Sequence, residues 1–285
     1  MIRISDAPVS AGQLLKEVSP SAVSLAAFMR MSTNKEQYEF DSYRNFSYEM
    51  QLRDSIVRAA SELNYSGVSF AVDEKSRCNP QFWRRTANGG FELLPGVTPA
   101  NAIRDIYANG AMYAFECAAA IVIVLYKAVL STYTDDMFNR LFANLYLYHW
   151  NYDHDLRLSS VPGNQFLPGD VLYFDNPEVN PETPQWQGEN VVDMGGGLYY
   201  GHGIGITTAD RIIYHLNNHR RLGAMQSAFL MNQATRPDFA YLAQFSANPM
   251  PPFRNVQQAA QGGSCNPKEL LIGARIGERL SLQAE

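Results

Sequence analysis

The stretch "YAFECAAAIVIVLYKAVL", residues 113–130, sets Glu116 and Cys117 at the mouth of an almost wholly apolar run. From Cys117 to Leu130 that run is too short to span a bilayer, which takes roughly 20 residues, and it reads as a helix buried in a core. A cysteine packed as a small hydrophobe needs no acidic neighbour, and a buried carboxylate is costly unless something pairs with it. A thiol at a helix N-terminus is favoured as its anion by the unpaired N–H groups and the macrodipole, whereas an adjacent carboxylate opposes that charge. Such opposition between neighbours is more typical of a working site than of packing. On this segment alone, a cysteine that only packs stays an open alternative.

On the N-terminal side, "YRNFSYEMQLRDSIVRAASELN" (43–64) carries Phe46, Met50, Ile56, Val57, Ala60 and Leu63 at helical spacing and predicts an amphipathic helix. Residues 72–99, with Asn-Pro, Asn-Gly-Gly and Pro-Gly, predict a long loop holding one hairpin around "FWRRTANGGFEL". Short helices are expected over 99–107 and 134–144. Then the period changes. "NLYLYHWNY", "GDVLYFDN", "ENVVDM", "LYYGHGIGIT" and "DRIIYHL" read as short strands, followed by a helix over "GAMQSAFLMNQAT" (223–235). Helices followed by a meander of strands make an α+β fold. The expected organisation is an N-terminal arm (1–42), a catalytic core (43–236) and a partly irregular C-terminal extension (237–285), with a short helix over "KELLIGARIGERL".

The chain of 285 residues has 23 basic and 28 acidic residues, a net charge of −5, and no dense Lys/Arg stripe, which argues against a nucleic-acid partner. Cys78, Cys117 and Cys265 are few, far apart and odd in number, so neither a disulfide framework nor a zinc site is expected. The first twenty residues show no apolar stretch of signal-peptide length, so synthesis in the cytoplasm without such a peptide is the expectation. Neither an H-E-x-x-H nor an EF-hand pattern occurs; no metal and no cofactor are expected.

A second candidate piece is "QWQGENVVDMGGGLYYGHGIGI", residues 185–206. Two strand-like segments flank Gly195-Gly196-Gly197, which predicts a hairpin. If the loop is even and centred between Gly195 and Gly196, Glu189 and His202 oppose each other on one face with Cβ atoms roughly 5 Å apart. A carboxylate in that position favours the imidazolium and orients the ring. An odd loop puts them on opposite faces. Trp150, Trp186, Tyr199 and Tyr200 are candidates for aromatic walls or for ordinary core. His149, His154, His215 and His219 carry a weaker signal.

Taken in order, "AIRDIYANGAMYAFECAAAIVIVLY", "QWQGEN" and "YYGHGIGI" resemble the bacterial spore-coat transglutaminases, the protein-glutamine γ-glutamyltransferases of spore formers. The resemblance runs from about Tyr43 to Pro237. It implies a compact core similar to NlpC/P60 cysteine hydrolases and papain-like in layout. It also implies a nucleophile at Cys117, acids at Glu116 and Glu189, a histidine at His202, and substrate-lining tryptophans at Trp150 and Trp186. The implied reaction forms a thioester on the cysteine from a protein glutamine, releases ammonia, and passes the acyl group to a lysine amine; with no calcium loop in the sequence, activity without calcium is expected. The implied partners are glutamine- and lysine-bearing proteins of the spore coat, with no membrane. An NlpC/P60-type peptidase, a glutamine deamidase or a non-catalytic coat protein are the alternatives. Gln257, Gln258, Gln261 and Lys268 in the C-terminal extension are candidates for self-cross-linking.

Overall fold

Residues 1–5, 7–8 and 21–247 are described by the structure, a computed structural model. The C-terminal helix expected over 268–280, Cys265 and the candidate self-cross-linking residues lie outside the described residues.

Strand β1 (Ile2–Ile4) pairs antiparallel with β2 (Ala7–Pro8) and parallel with β3 (Tyr38–Phe40). Helix α1 (Ala22–Thr33) lies between them in sequence, started by the Ser21 hydroxyl, which accepts from the Ser24 amide at 3.1 Å. Helix α2 (Tyr43–Tyr65) starts in the same way, with the Asn45 amide donating to the Ser42 hydroxyl, and stops before Gly67, whose φ of +88° glycine adopts readily. The short strands β4 (Ser69–Phe70), β5 (Trp83–Arg85) and β6 (Phe91–Leu93) follow, the last two as the expected hairpin. After α3 (Pro99–Ala108), β7 (Ala114–Phe115) pairs parallel with β4 and delivers the chain into α4 (Cys117–Leu130).

Helix α4 covers the apolar run from end to end. Apart from Lys127, its residues from Ala118 to Leu130 are all buried. Burying a Val, Leu or Ile side chain contributes about 1.5–3 kcal/mol, so a helix apolar all round gains most when enclosed on every side. It packs against α2, α3 and the sheet. Helix α5 (Asp135–Leu141) and β8 (Tyr146–Leu147) complete the first half, with β8 paired to β6.

The second half supplies β9 (Ser159–Pro162), β10 (Val171–Asp175), β11 (Gly188–Gly195), β12 (Leu198–Gly201), β13 (Gly205–Thr208), α6 (Ala209–Asn217), β14 (Phe229–Leu230), β15 (Gln233–Arg236) and α7 (Phe239–Ala243). The strands form an antiparallel sheet in the order β13-β12-β11-β10-β15-β9, with β14 also pairing β10. This is a mixed α+β architecture, with one face of the sheet against α4. A buried cluster pins it to α2. Asp170, just before β10, accepts from Arg53 Nη1 at 2.8 Å and from Arg236 Nε and Nη2 at 2.7 and 2.6 Å.

Several expectations are corrected. "DRIIYHL" is helix α6, whose Ile212 and Leu216, four apart, face inward while Tyr214 faces solvent. Residues 223–235 form no helix; strand pairing with β10 and β9 overrides their helical propensity. "NLYLYHWNY" contributes only β8, away from the main sheet. "LYYGHGIGIT" turns back on itself as β12 and β13, with Gly203 and Gly205 at φ +101° and +87°. The β11–β12 hairpin also differs from the expected register. Val191 opposes Gly201 and Val192 opposes Tyr200, with a bulge between Asp193 and Gly195. The register is therefore one residue off the even-loop arrangement, and Glu189 does not stand opposite His202.

Candidate active site

Cys117 is the first residue of α4 and Glu116 is its N-cap. The Glu116 carboxylate takes both early amides, Oε2 from Ala118 at 2.7 Å and Oε1 from Ala119 at 2.6 Å. Glu116 therefore has a structural task that explains its place beside the thiol. The donors expected to favour a thiolate are spent on a carboxylate instead. The sulfur's side-chain donor is Asn190 on β11, whose Nδ2 lies 3.5 Å from Cys117 Sγ.

Burial pushes the Cys117 thiol well above its usual range, the charges of Glu189 and then Glu116 push it further, and the Asn190 hydrogen bonds pull the other way. Glu189, 1% exposed, has a carboxyl held well above the usual range by burial and then by Glu116. Among the described residues its Oε1 is buried without a hydrogen-bond partner. Burial thus favours the protonated form of both the Cys117 thiol and the Glu189 carboxyl, and the neighbouring carboxylate charge reinforces it. Gly201 makes room for this acid: a Cβ there would lie 2.8 Å from Glu189 Oε1 and 3.0 Å from its Cγ.

His202 departs from the expected imidazolium. The ring is 4% exposed and stacks on Phe115 with centroids 5.1 Å apart. Its Nε2 faces the Ser69 carbonyl at 3.3 Å and its Nδ1 the Tyr200 hydroxyl at 3.2 Å. A carbonyl only accepts, so Nε2 carries the proton and Nδ1 accepts from Tyr200. Burial lowers the imidazole to about 4, against weaker support from the Ser69 and Phe115 backbones. Both ring nitrogens are committed, and the ring is neutral.

The two tryptophans stand on different flanks. Trp150 lines a cavity of about 570 Å³ together with Glu116, His149, Tyr152, Tyr173 and Asn190. Trp186 is outside that lining. It stacks on Phe70 at 5.6 Å, and Phe70 in turn lies 6.1 Å from His202. Cys78 is remote from this constellation in its bonding: its thiol donates to the Trp83 carbonyl, and burial pushes it up to about 11. Asn190 was not singled out from the sequence, although it directly follows Glu189. An asparagine inside a strand pattern looks like any polar edge residue, and only the packing of α4 on β11 reveals its partner. Tyr200, a candidate for wall or core, is buried, and its hydrogen bond to His202 carries no sequence signature.

The sequence matches the profile of the family described as protein-glutamine gamma-glutamyltransferase over residues 1–246, including the N-terminal stretch to which the resemblance noted above does not extend. A Bacillus cereus protein-glutamine gamma-glutamyltransferase is 48% identical over 221 residues, covering 78% of this chain and 80% of the relative. A Bacillus anthracis protein of the same description is 48% identical over 226 residues, 79% and 82% of the two chains. The fold is similar to that of a transglutaminase from Geobacillus stearothermophilus, without its C-terminal extension. That likeness has a TM-score of 0.70 and 53% identity, and covers 73% of this chain and 99% of the other. With the family profile spanning most of its length and relatives at this level of identity, the chain belongs to the protein-glutamine gamma-glutamyltransferase family.

Proposed function

We propose that the chain cross-links proteins through a thioester on Cys117, with Glu189 as the group that moves the protons. The observation that carries this reading is the buried Glu189 carboxyl, whose Oε1 has no partner among the described residues and whose charge acts on the Cys117 thiol. As the sulfur attacks the γ-carboxamide carbon of a glutamine, its proton passes to ionised Glu189, which hands it to the departing nitrogen; ammonia leaves and the thioester remains. The lysine amine then attacks, the C–N bond forms, the C–S bond breaks, and Glu189 carries a proton from nitrogen to sulfur. Asn190 Nδ2 donates to the sulfur as its charge develops. Glu116 closes the helix end and sets the local charge, and neutral His202 serves as an oriented ring rather than as a base. Trp150 walls the route of the lysine's apolar stem, and Trp186 the flank beyond Phe70 and His202, so that bulk water is kept from the thioester.

We place the substrates among glutamine- and lysine-bearing spore-coat proteins, a reading supported by the sequence resemblance and by relatives in Bacillus. Calcium independence rests on the absence of an EF-hand pattern from the sequence. The test is incorporation of a fluorescent primary amine into a glutamine-rich protein, with ammonia release followed in parallel and excess chelator present. Incorporation by the wild type and none by Cys117→Ala supports the reading. Ammonia without incorporation replaces it with a deamidase, and activity retained by Cys117→Ala overturns it. Loss in chelator with recovery on adding calcium overturns calcium independence alone.

A further inference from the structure

His149 stands in an uncommon place. It follows β8 with φ +47°, a left-handed backbone that few non-glycine residues adopt. Its Nε2 lies 2.9 Å from Asp73 Oδ2. A carboxylate only accepts, so Nε2 carries the proton, and in the neutral ring the lone pair is on Nδ1. That nitrogen faces Glu116 Oε1 at 3.7 Å, too far for a hydrogen bond. With the ring in its neutral form, two acceptors look at one another across a gap on the wall of the 570 Å³ cavity, next to the helix end that bears Cys117. The remaining wall combines apolar and aromatic groups, Leu158, Val171 and Trp150 among them, with the polar Ser160, Asn190 and Thr235. Such a cavity suits an alkyl chain ending in a cation that donates to both facing acceptors.

From this geometry we infer that the cavity is the entry port of the primary-amine acceptor, and that His149 receives the ammonium's first proton there. The inference rests on the thioester reading above and concerns only its second half. A lysine arrives as R–NH3⁺, bridges His149 Nδ1 and Glu116 Oε1, and gives one proton to Nδ1. The neutral amine attacks the thioester carbon, the C–N bond forms and the C–S bond breaks. The second nitrogen proton reaches sulfur through Glu189, and the imidazolium returns the first to water. Asp73 holds the ring in the tautomer this requires, as a positioning residue. Tyr148 packs edge-on against the His149 ring, with centroids 4.2 Å apart.

The left-handed backbone permits clean variants. Asn tolerates this conformation but takes up no proton; Gly fits without strain and leaves room for free imidazole. The experiment measures amine incorporated against total ammonia released, with a glutamine peptide as donor and a lysine peptide as acceptor. For His149→Asn this ratio is expected to fall about tenfold, less than the hundredfold or more usual for a general base because water also takes protons at an exposed site. Added imidazole should restore the ratio in His149→Gly. An unchanged ratio in His149→Asn overturns the inference, as does a parallel fall of incorporation and ammonia release, which marks a merely structural role. A wild type that releases no ammonia at all instead brings down the thioester reading on which the inference rests.

Discussion

Acidification tests the state of His202 directly. Folding buries this ring and lowers it from 6.5 to about 4. Below pH 6.5 the unfolded chain binds a proton that the folded chain refuses, so stability falls with pH until the folded ring titrates as well. The stability is fully present above pH 6.5 and drains away between 6.5 and about 4. The loss from this residue is about 2 kcal/mol by pH 5 and about 3 kcal/mol by pH 4. The assay is urea unfolding at a series of pH values for the wild type and His202→Gln. Other titrating groups, His215 and the carboxylates included, are common to both chains and cancel in the difference between the two curves. The wild type should lose about 2 kcal/mol more than the variant between pH 7 and pH 5. Parallel curves refute the neutral, doubly hydrogen-bonded ring. A wild type that gains stability relative to the variant on acidification would restore the imidazolium expected from the sequence.

Three further outcomes follow from the same structure. Glu116→Gln removes a charge that raises both Cys117 and Glu189, so the acid limb of the pH–rate profile should move down by about one pH unit, with about 1 kcal/mol of helix capping lost; a limb that stays in place contradicts the coupling. Gly201→Ala drives a methyl into the Glu189 carboxyl, so cross-linking should fall at least about tenfold while calorimetry still shows a cooperative unfolding transition; full activity would mean that the acid is not held where described. Asp170→Ala leaves Arg53, 1% exposed, with Glu49 alone of its two carboxylate partners and should cost about 3 kcal/mol in denaturant unfolding, the lower end for a broken buried pair. Its depressed carboxyl contributes stability above the unfolded value near 3.9 and loses it as pH falls through the lower folded value, a dependence that the variant should lack.

Legibility in the sequence followed the strength of the local signal. Helix α4 was visible from end to end because fourteen residues with a single charge leave no alternative to burial. Helix α2 was visible through its 3.6-residue period. Helix α6 was mistaken for a strand because its adjacent Ile212 and Ile213 carry β propensity, and the Ile212–Leu216 spacing that decides the matter spans only one turn. The strands at 229–236 were missed because only β9 and β10, distant in sequence, make them strands. The hairpin between Glu189 and His202 turned on a single bulged residue, and one residue exchanges the faces of a strand. The residue types gathered at the candidate site are visible in the sequence as candidates. The division of labour between Glu116 as cap and Glu189 as buried acid needed coordinates, as did the bond from Asn190 to the sulfur.

The central claim is a covalent acyl group on Cys117, and acid-quenched mass spectrometry of the enzyme mixed with a glutamine peptide tests it most directly. The account predicts an adduct of the peptide less ammonia on the tryptic fragment containing Cys117, discharged by added lysine peptide into an isopeptide. Cross-linking that proceeds with the adduct on Cys78 or Cys265, or with no adduct on the enzyme under conditions that trap thioesters, would contradict it.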